Sequence, residues 1–233
     1  SLRGTLDYPF TPPMTECYAN GDIEGVVKNA RMGNKILGVF MIAPMATFAI
    51  LGQSFFKLWV PTEDSFMIQV LSLLAILSLL AGSCINSVFS IFTITNKLKV
   101  QSLVILGTGV LTLITNFILL KTTNLGVYVI AGVSSFYSLL RNYIFTPLYG
   151  AHCLGVKKST FYHEIFTGNI CLIINLVVGF FITKFISSNS WISLILSAII
   201  IVTIGVVINF FIVFNKNERH FVFGFLKKFL NKK

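Results

Sequence analysis

The chain has 233 residues, of which 55% are hydrophobic and only 11% charged, with a mean hydropathy of +0.84. An average soluble domain is about 25% charged, so this composition excludes a disordered chain and a water-soluble globule and points to an integral membrane protein. The 18 basic and 8 acidic residues give a formal charge of +10, which in this class belongs to loops on one face of the bilayer rather than to nucleic-acid binding.

Residues 1–18 mix Leu2, Leu6, Phe10 and Met14 with Arg3, Asp7, Pro9, Pro12 and Pro13. Two readings stay open: the end of a cavity-lining helix, broken where the prolines remove backbone donors, or a loop. On a helix Arg3 and Asp7 would form a pair four residues apart. Residues 20–35 are polar and read as a loop with a short amphipathic stretch.

Six apolar runs follow, at 36–59, 66–94, 100–120, 125–148, 165–185 and 191–214. Each is long enough to span as a helix, which needs about 20 residues. All are too long, and too little alternating, for barrel strands. The connectors are short, except for residues 149–164, and short links force antiparallel neighbours. The chain thus divides into three parts. Residues 1–31 are the end of a truncated transmembrane helix and a cytoplasmic loop. Residues 32–214 are a six-helix transmembrane bundle, and residues 215–233 are a basic amphipathic cytoplasmic tail. In that tail Phe221, Phe225, Leu226 and Phe229 share a helical face opposite lysines, the pattern of a helix lying on an anionic leaflet.

Orientation follows from the bases. Lys28, Arg31, Lys35, Lys97, Lys99, Lys157, Lys158 and the tail bases from Lys216 to Lys233 fall on one side, and Lys57, Lys121 and Lys184 on the other. The richer side is expected to be cytoplasmic, with the C-terminus there.

Catalytic arrangements are scarce. The sequence has no P-loop, no G-x-S-x-G and no H-E-x-x-H, and no aspartate lies within the six runs. His163 beside Glu164 reads as a loop salt bridge before an acid–base pair. Cys17, Cys84, Cys153 and Cys171 have no metal-site or disulfide spacing. A non-enzyme without cofactor or metal is expected. The informative residues are polar groups at membrane depth. Arg141, followed by Asn142 and Tyr143, lies deep in the fourth run, where a charge is expensive and usually faces a bundle interior or a watery cavity. A guanidinium there suits an anionic group such as a pyrophosphate; the plainer reading is snorkelling to nearby headgroups. Asn86, Asn116, Asn175 and Asn209 lie within spans, where Asn more often bonds helix to helix.

Several segments carry a family resemblance. Residues 11–38, TPPMTECYANGDIEGVVKNARMGNKILG, look like the proline-containing helix end and cytoplasmic loop of Wzx-type polysaccharide flippases. These belong to the multidrug/oligosaccharidyl-lipid/polysaccharide exporter superfamily. ILGQSFFKLWVP at 50–61, NKLKVQS at 96–102, NLGVYVIAGVSS at 124–135 and FTPLYGAHCLG at 145–155 resemble successive elements of the same family, although Ala131-Gly132 comes late for its second glycine.

The resemblance implies a carrier in a bacterial inner membrane that moves undecaprenyl-pyrophosphate-linked oligosaccharide between leaflets for cell-surface polysaccharide. It would work by alternating access of two rocking bundles, driven by an ion gradient of H+ or Na+. It implies the all-α C-terminal bundle of a MATE-like transporter: six transmembrane helices plus a partial seventh, the last two being the extra pair of 14-helix members. The N-terminal bundle would then be a partner absent from this chain. Arg141, Arg3, Asp7 and Asn142 are the candidate cavity residues, on physical grounds alone. The alternatives are a drug/cation antiporter, which should show acidic residues in the spans, and a non-transporting scaffold subunit.

Overall fold

The structure, a computed structural model, describes residues 8–186 and 190–220. Among these residues it is entirely helical, with no strand. A 3-10 turn at Tyr8–Phe10 leads into α1 (Thr11–Ala19), followed by α2 (Ile23–Trp59), α3 (Ser65–Ser83), α4 (Asn86–Ile94) and α5 (Leu98–Thr122). Then come α6 (Val127–Leu140), a π turn at Arg141–Phe145, α7 (Thr146–Leu154), α8 (Tyr162–Phe185) and α9 (Trp191–Val213). Five helices, α2, α3, α5, α8 and α9, are long and apolar enough to cross a membrane.

Several sequence expectations change. Pro12 and Pro13 do not break a helix; they begin α1, in a first turn whose N–H groups lack intrahelical partners anyway. Arg3, Asp7 and the amphipathic tail beyond His220 lie outside the described residues. The polar stretch 20–35 is a loop only over residues 20–22. Asp22 caps α2 by accepting from the Gly25 N–H at 2.8 Å, and the helix then runs without interruption through the expected boundary between residues 31 and 32. At 37 residues α2 is about 55 Å long, far more than the roughly 30 Å of hydrocarbon. Its first turns therefore project beyond the bilayer as a helix, and their polarity reflects that.

The expected run 66–94 is two helices. α3 ends at Ser83 and α4 starts at Asn86; at the break Ser83 turns its hydroxyl back to the Leu80 carbonyl at 2.8 Å. Asn34 of α2 then takes the Ser87 N–H at 2.9 Å, capping α4 from a different helix. The expected run 125–148 extends to Leu154 and is divided by the π turn. Pro147 cannot donate to the backbone and crowds the carbonyl four residues before it, and the wider turn just ahead of it relieves that conflict. The long loop expected over 149–164 shrinks to residues 155–161 and opens on Gly155, the left-handed residue that ends α7.

The helix α2 is the hub of the bundle, packed against α1, α3, α4, α8 and α9, while α5 touches chiefly α6. The two ends of the bundle differ. At one end the Arg31 Nε meets Glu164 at 2.7 Å, Lys35 Nζ meets Glu218 at 2.7 Å, and Lys97 Nζ bonds the Cys153 carbonyl at 3.1 Å. This end also carries an apolar core that includes Met14, Val26, Ile91, Phe92, Leu154 and Phe161. At the other end Phe55 packs on Trp59 and Trp191 with ring centres 5.5 and 5.9 Å apart, and Lys121 and Lys184 lie over Phe117 and Phe180. Such aromatic groups are typical of a membrane–water interface. Three of the bases that sequence counting assigned to one side, Arg31, Lys35 and Lys97, are thus each tied to a carboxylate or carbonyl at this end.

Candidate functional site

In hydrocarbon every polar group must find a partner within the protein or a watery cavity, so the site is built from the polar side chains of the spans. Three groups emerge.

The first is a structural brace. Asn175 of α8 donates to Asn209 of α9 at 2.6 Å and to the Cys171 carbonyl at 2.6 Å, and Asn209 donates to the Val39 carbonyl of α2 at 3.3 Å. All of this is buried, and it ties three helices together as the sequence led one to expect of membrane asparagines. Gly205 lets the helices close in: a side chain there would come within 2.9 Å of the Ala43 Cβ. Gln69 of α3 makes a second brace, donating to the Phe48 and Ala49 carbonyls at 3.3 and 3.0 Å beside Gly52.

The second group holds Arg141 and Asn142 at the π turn. A π turn widens the backbone and re-aims its side chains, which is why such turns recur at functional sites. Asn142 is buried and donates to the Ser78 carbonyl of α3 at 3.4 Å, while its Oδ1 has no hydrogen-bond partner. The Arg141 Nε is buried and also without one. Beside them the Tyr143 hydroxyl donates to Asn169 Oδ1 of α8 at 2.7 Å. Of the four predicted site residues, the sequence neighbours Arg141 and Asn142 thus keep unspent donor and acceptor capacity, while Arg3 and Asp7 lie outside the described residues. Ser78 and Asn169 here, and Gln69 in the brace, are polar residues that sequence reading passed over: each is flanked by apolar residues in its helix, with no spacing motif to mark it.

The third group lies at the basic end. Glu164 is 5% exposed; its Oε1 accepts from Arg31 and stands 3.7 Å from His163 Nδ1, and its Oε2 has no partner. Asn34, 1% exposed, spends its Oδ1 on Ser87 and keeps a free Nδ2. Just outside, burial would raise the Glu218 carboxyl, but the Lys35 ammonium, the Asn215 N–H and the charge of Arg31 outweigh it and hold the group below the usual carboxylate range. Near α1, burial, the charge of Asp22 and its hydrogen bond raise the Cys17 thiol, so it is held in the unreactive form. Among the described residues no group of three or more His, Cys, Asp and Glu side chains could hold a metal ion.

The fold and these sites define an all-helical, multi-spanning membrane protein. No protein-family model matches the chain, and no solved structure matches it. It is 29% identical over 237 residues to the uncharacterized membrane protein EpsK of Bacillus subtilis (strain 168), a match that covers 98% of this chain and 45% of EpsK. The chain therefore spans less than half the length of that relative.

Proposed function

We propose that the chain is the C-terminal bundle of a bacterial lipid-linked oligosaccharide flippase: a carrier, not an enzyme, that passes an undecaprenyl-pyrophosphate-linked oligosaccharide across the inner membrane by alternating access. In this reading the broken helix Val127–Leu154 is the sixth span, and α1 continues a partial seventh. The basic end faces the cytoplasm, and a further bundle of the same protein completes a MATE-like pair. Arg141 and Asn142, with Arg3 and Asp7, line the substrate path, and an H+ or Na+ gradient drives the cycle.

The observation that carries the reading is the polar break at Arg141–Asn142. A π turn in an otherwise apolar helix holds a guanidinium nitrogen and an amide oxygen without protein partners. A charge at that depth is retained at considerable cost, and a guanidinium is well matched to pyrophosphate oxygens. Likeness to EpsK along almost the whole chain supports a membrane protein of comparable build, and the family resemblance of the connecting segments supports the substrate class. The test is to replace Arg141 by Ala in the full-length protein and follow lipid-linked repeat units on the two leaflets. Export is expected to fall about tenfold or more, the loss of a charge-assisted contact of roughly 1.5–3 kcal/mol, with the membrane level of the protein unchanged. Unchanged export would return Arg141 to a snorkelling role. Deleting the whole gene in a strain without a substitute carrier should abolish surface polysaccharide; normal polysaccharide would remove the flippase reading altogether.

A further inference from the structure

The helices α3 and α8 both lie along α2 but hardly touch each other: α3 rests on α2 and α6, and α8 on α2 and α9. Between them runs a groove of about 460 Å³. Its floor is Met45 and Ala49 of α2. One wall is the α3 face from Val70 to Leu80, and the other is Leu172 and Leu176 of α8. Every lining residue is apolar. Two contacts bound the groove toward the basic end. Tyr143 reaches from the π turn to Asn169 of α8 at 2.7 Å, about one turn below Leu172. Just beyond, Cys84 lies so close to Gly168 that a side chain there would meet its sulfur.

The lining chemistry decides what fits. Helices in a membrane pack on one another through small residues and hydrogen bonds, as at Gly205 and the Asn175–Asn209 brace. This groove has a single small residue, Ala49, and no polar side chain. Walls of Leu, Ile and Val suit hydrocarbon chains better than another helix. The groove also differs from the outer surface of α5. Its residues are half-buried, except for Leu77 at 40% exposure, so a guest is held on three sides rather than one. Dispersion contacts are individually weak but sum over such a surface. The length is specific too. From Val70 to Leu80 α3 rises about 15 Å, half of the roughly 30 Å of hydrocarbon. Val70 is the end nearer Trp59 and the aromatic groups, so the groove spans the leaflet on that side. Its volume falls within the range of about 300–1,000 Å³ usual for ligand pockets.

We propose that this groove is a binding site for one acyl chain of a membrane phospholipid, drawn from the leaflet at the aromatic end and wedged between α3 and α8 on the floor of α2. The headgroup stays at the interface, since the lining offers it no partner. The chain ends above the Tyr143–Asn169 bridge. The site does not depend on the transport reading, and its test needs no transport.

The test is photo-crosslinking with phosphatidylglycerol that carries a diazirine in its acyl chain. The full chain is reconstituted in phosphatidylethanolamine vesicles containing this lipid, then dissolved and washed in lipid-free detergent before irradiation. Adducts are located by mass spectrometry. They should survive the wash at Met45, Leu73, Leu172 and Leu176 and be lost from Leu106 and Leu113 of α5, where lipid exchanges freely. A49F and L176F, which fill the groove, should each lower the retained label to the α5 level, whereas L106F should leave it at the wild-type level. Equal retention in the groove and on α5 would overturn the proposal, because the groove would then hold ordinary surrounding lipid only. Unchanged label in both filling variants would overturn it as well. So would displacement of the label by added polyprenyl phosphate but not by unlabelled phosphatidylglycerol, which would give the groove to a different lipid. The wild-type comparison between groove and α5 decides the matter even if a filling variant fails to fold.

Discussion

The helices α2 and α5 are both long, apolar and able to span a bilayer, with hydropathies of 1.9 and 2.3 in their most apolar windows. Yet α2 buries residues along its whole length, among them Asn34, Lys35, Thr47 and Gly52, while α5 buries none. The less apolar helix is the core and the more apolar one is the rim. Lipid is as apolar as leucine, so no hydrophobic force draws a leucine-rich helix inward; association rests on close packing and on hydrogen bonds between helices. The small and polar residues of α2 and its partners supply both. The residues of α5 that carry its hydropathy, such as Leu106, Leu113 and Phe117, are 65%, 70% and 62% exposed, the surface a bilayer would cover.

This contrast can be broken most forcefully at the glycines. Gly205→Leu drives a side chain into Ala43 and Asn175 where α9 meets α2 and α8. It should cost about 3 kcal/mol or more, read as lost folded protein in size-exclusion and thermal unfolding in detergent. Gly107→Leu on α5 has nothing within 4 Å and should leave the same measurements within about 0.5 kcal/mol of wild type. Equal damage from the two would mean that α5 is packed as tightly as α2.

A smaller effect is expected at the brace. Asn209→Leu removes the links to Asn175 and the Val39 carbonyl and should destabilise by roughly 1–2 kcal/mol. Thr115→Val on α5 loses only the 2.9 Å contact to the Tyr137 hydroxyl and should cost about 0.6 kcal/mol or less. If the order reversed in unfolding measurements, the polar brace would not be what makes α2 the hub.

Acid should reach the α2 side of the comparison before the α5 side. Because the Glu218 carboxyl is held below its ordinary value, the Lys35–Glu218 link is fully present above the usual carboxylate range. It is lost as the pH falls through the lowered value. Protection of the amides over residues 210–218, relative to their intrinsic exchange rates, should therefore fall only under clearly acidic conditions, while protection in α5, which has no carboxylate of its own, stays level. Lys35→Met removes the link at every pH, so protection of these amides should be low already at neutral pH and the acid step should be lost. The smallest effect is expected for Phe117→Leu on α5, which removes the ring beneath Lys121 and should shift stability by less than about 0.5 kcal/mol.

Much of this architecture was legible before any coordinates. The apolar runs located the membrane helices, and the bases at Arg31, Lys35 and Lys97 that counting put on one side each find a carboxylate or carbonyl partner at one end. The reading of residues 20–35 failed because polarity was taken for a loop, where a helix simply emerges from the membrane. Run 66–94 hid a break because the Asn34 side chain that caps α4 comes from a helix some fifty residues earlier, a relation no local pattern carries. For the candidate site, Arg141 and Asn142 stood out by charge and polarity at depth, but the π turn that aims them depends on accommodating Pro147 within a packed bundle.

What the sequence by itself determined is the solvent of each segment. Hydropathy is a property of single residues facing lipid or water, and it sums along the chain without reference to neighbours. What only the tertiary structure decided is which helix becomes the core, which asparagines are satisfied, and which oxygen of Glu164 is left without a donor. Those are pairwise facts, set by which atoms come within about 3 Å of one another, and residues as far apart as Arg31 and Glu164 meet only once the bundle has closed.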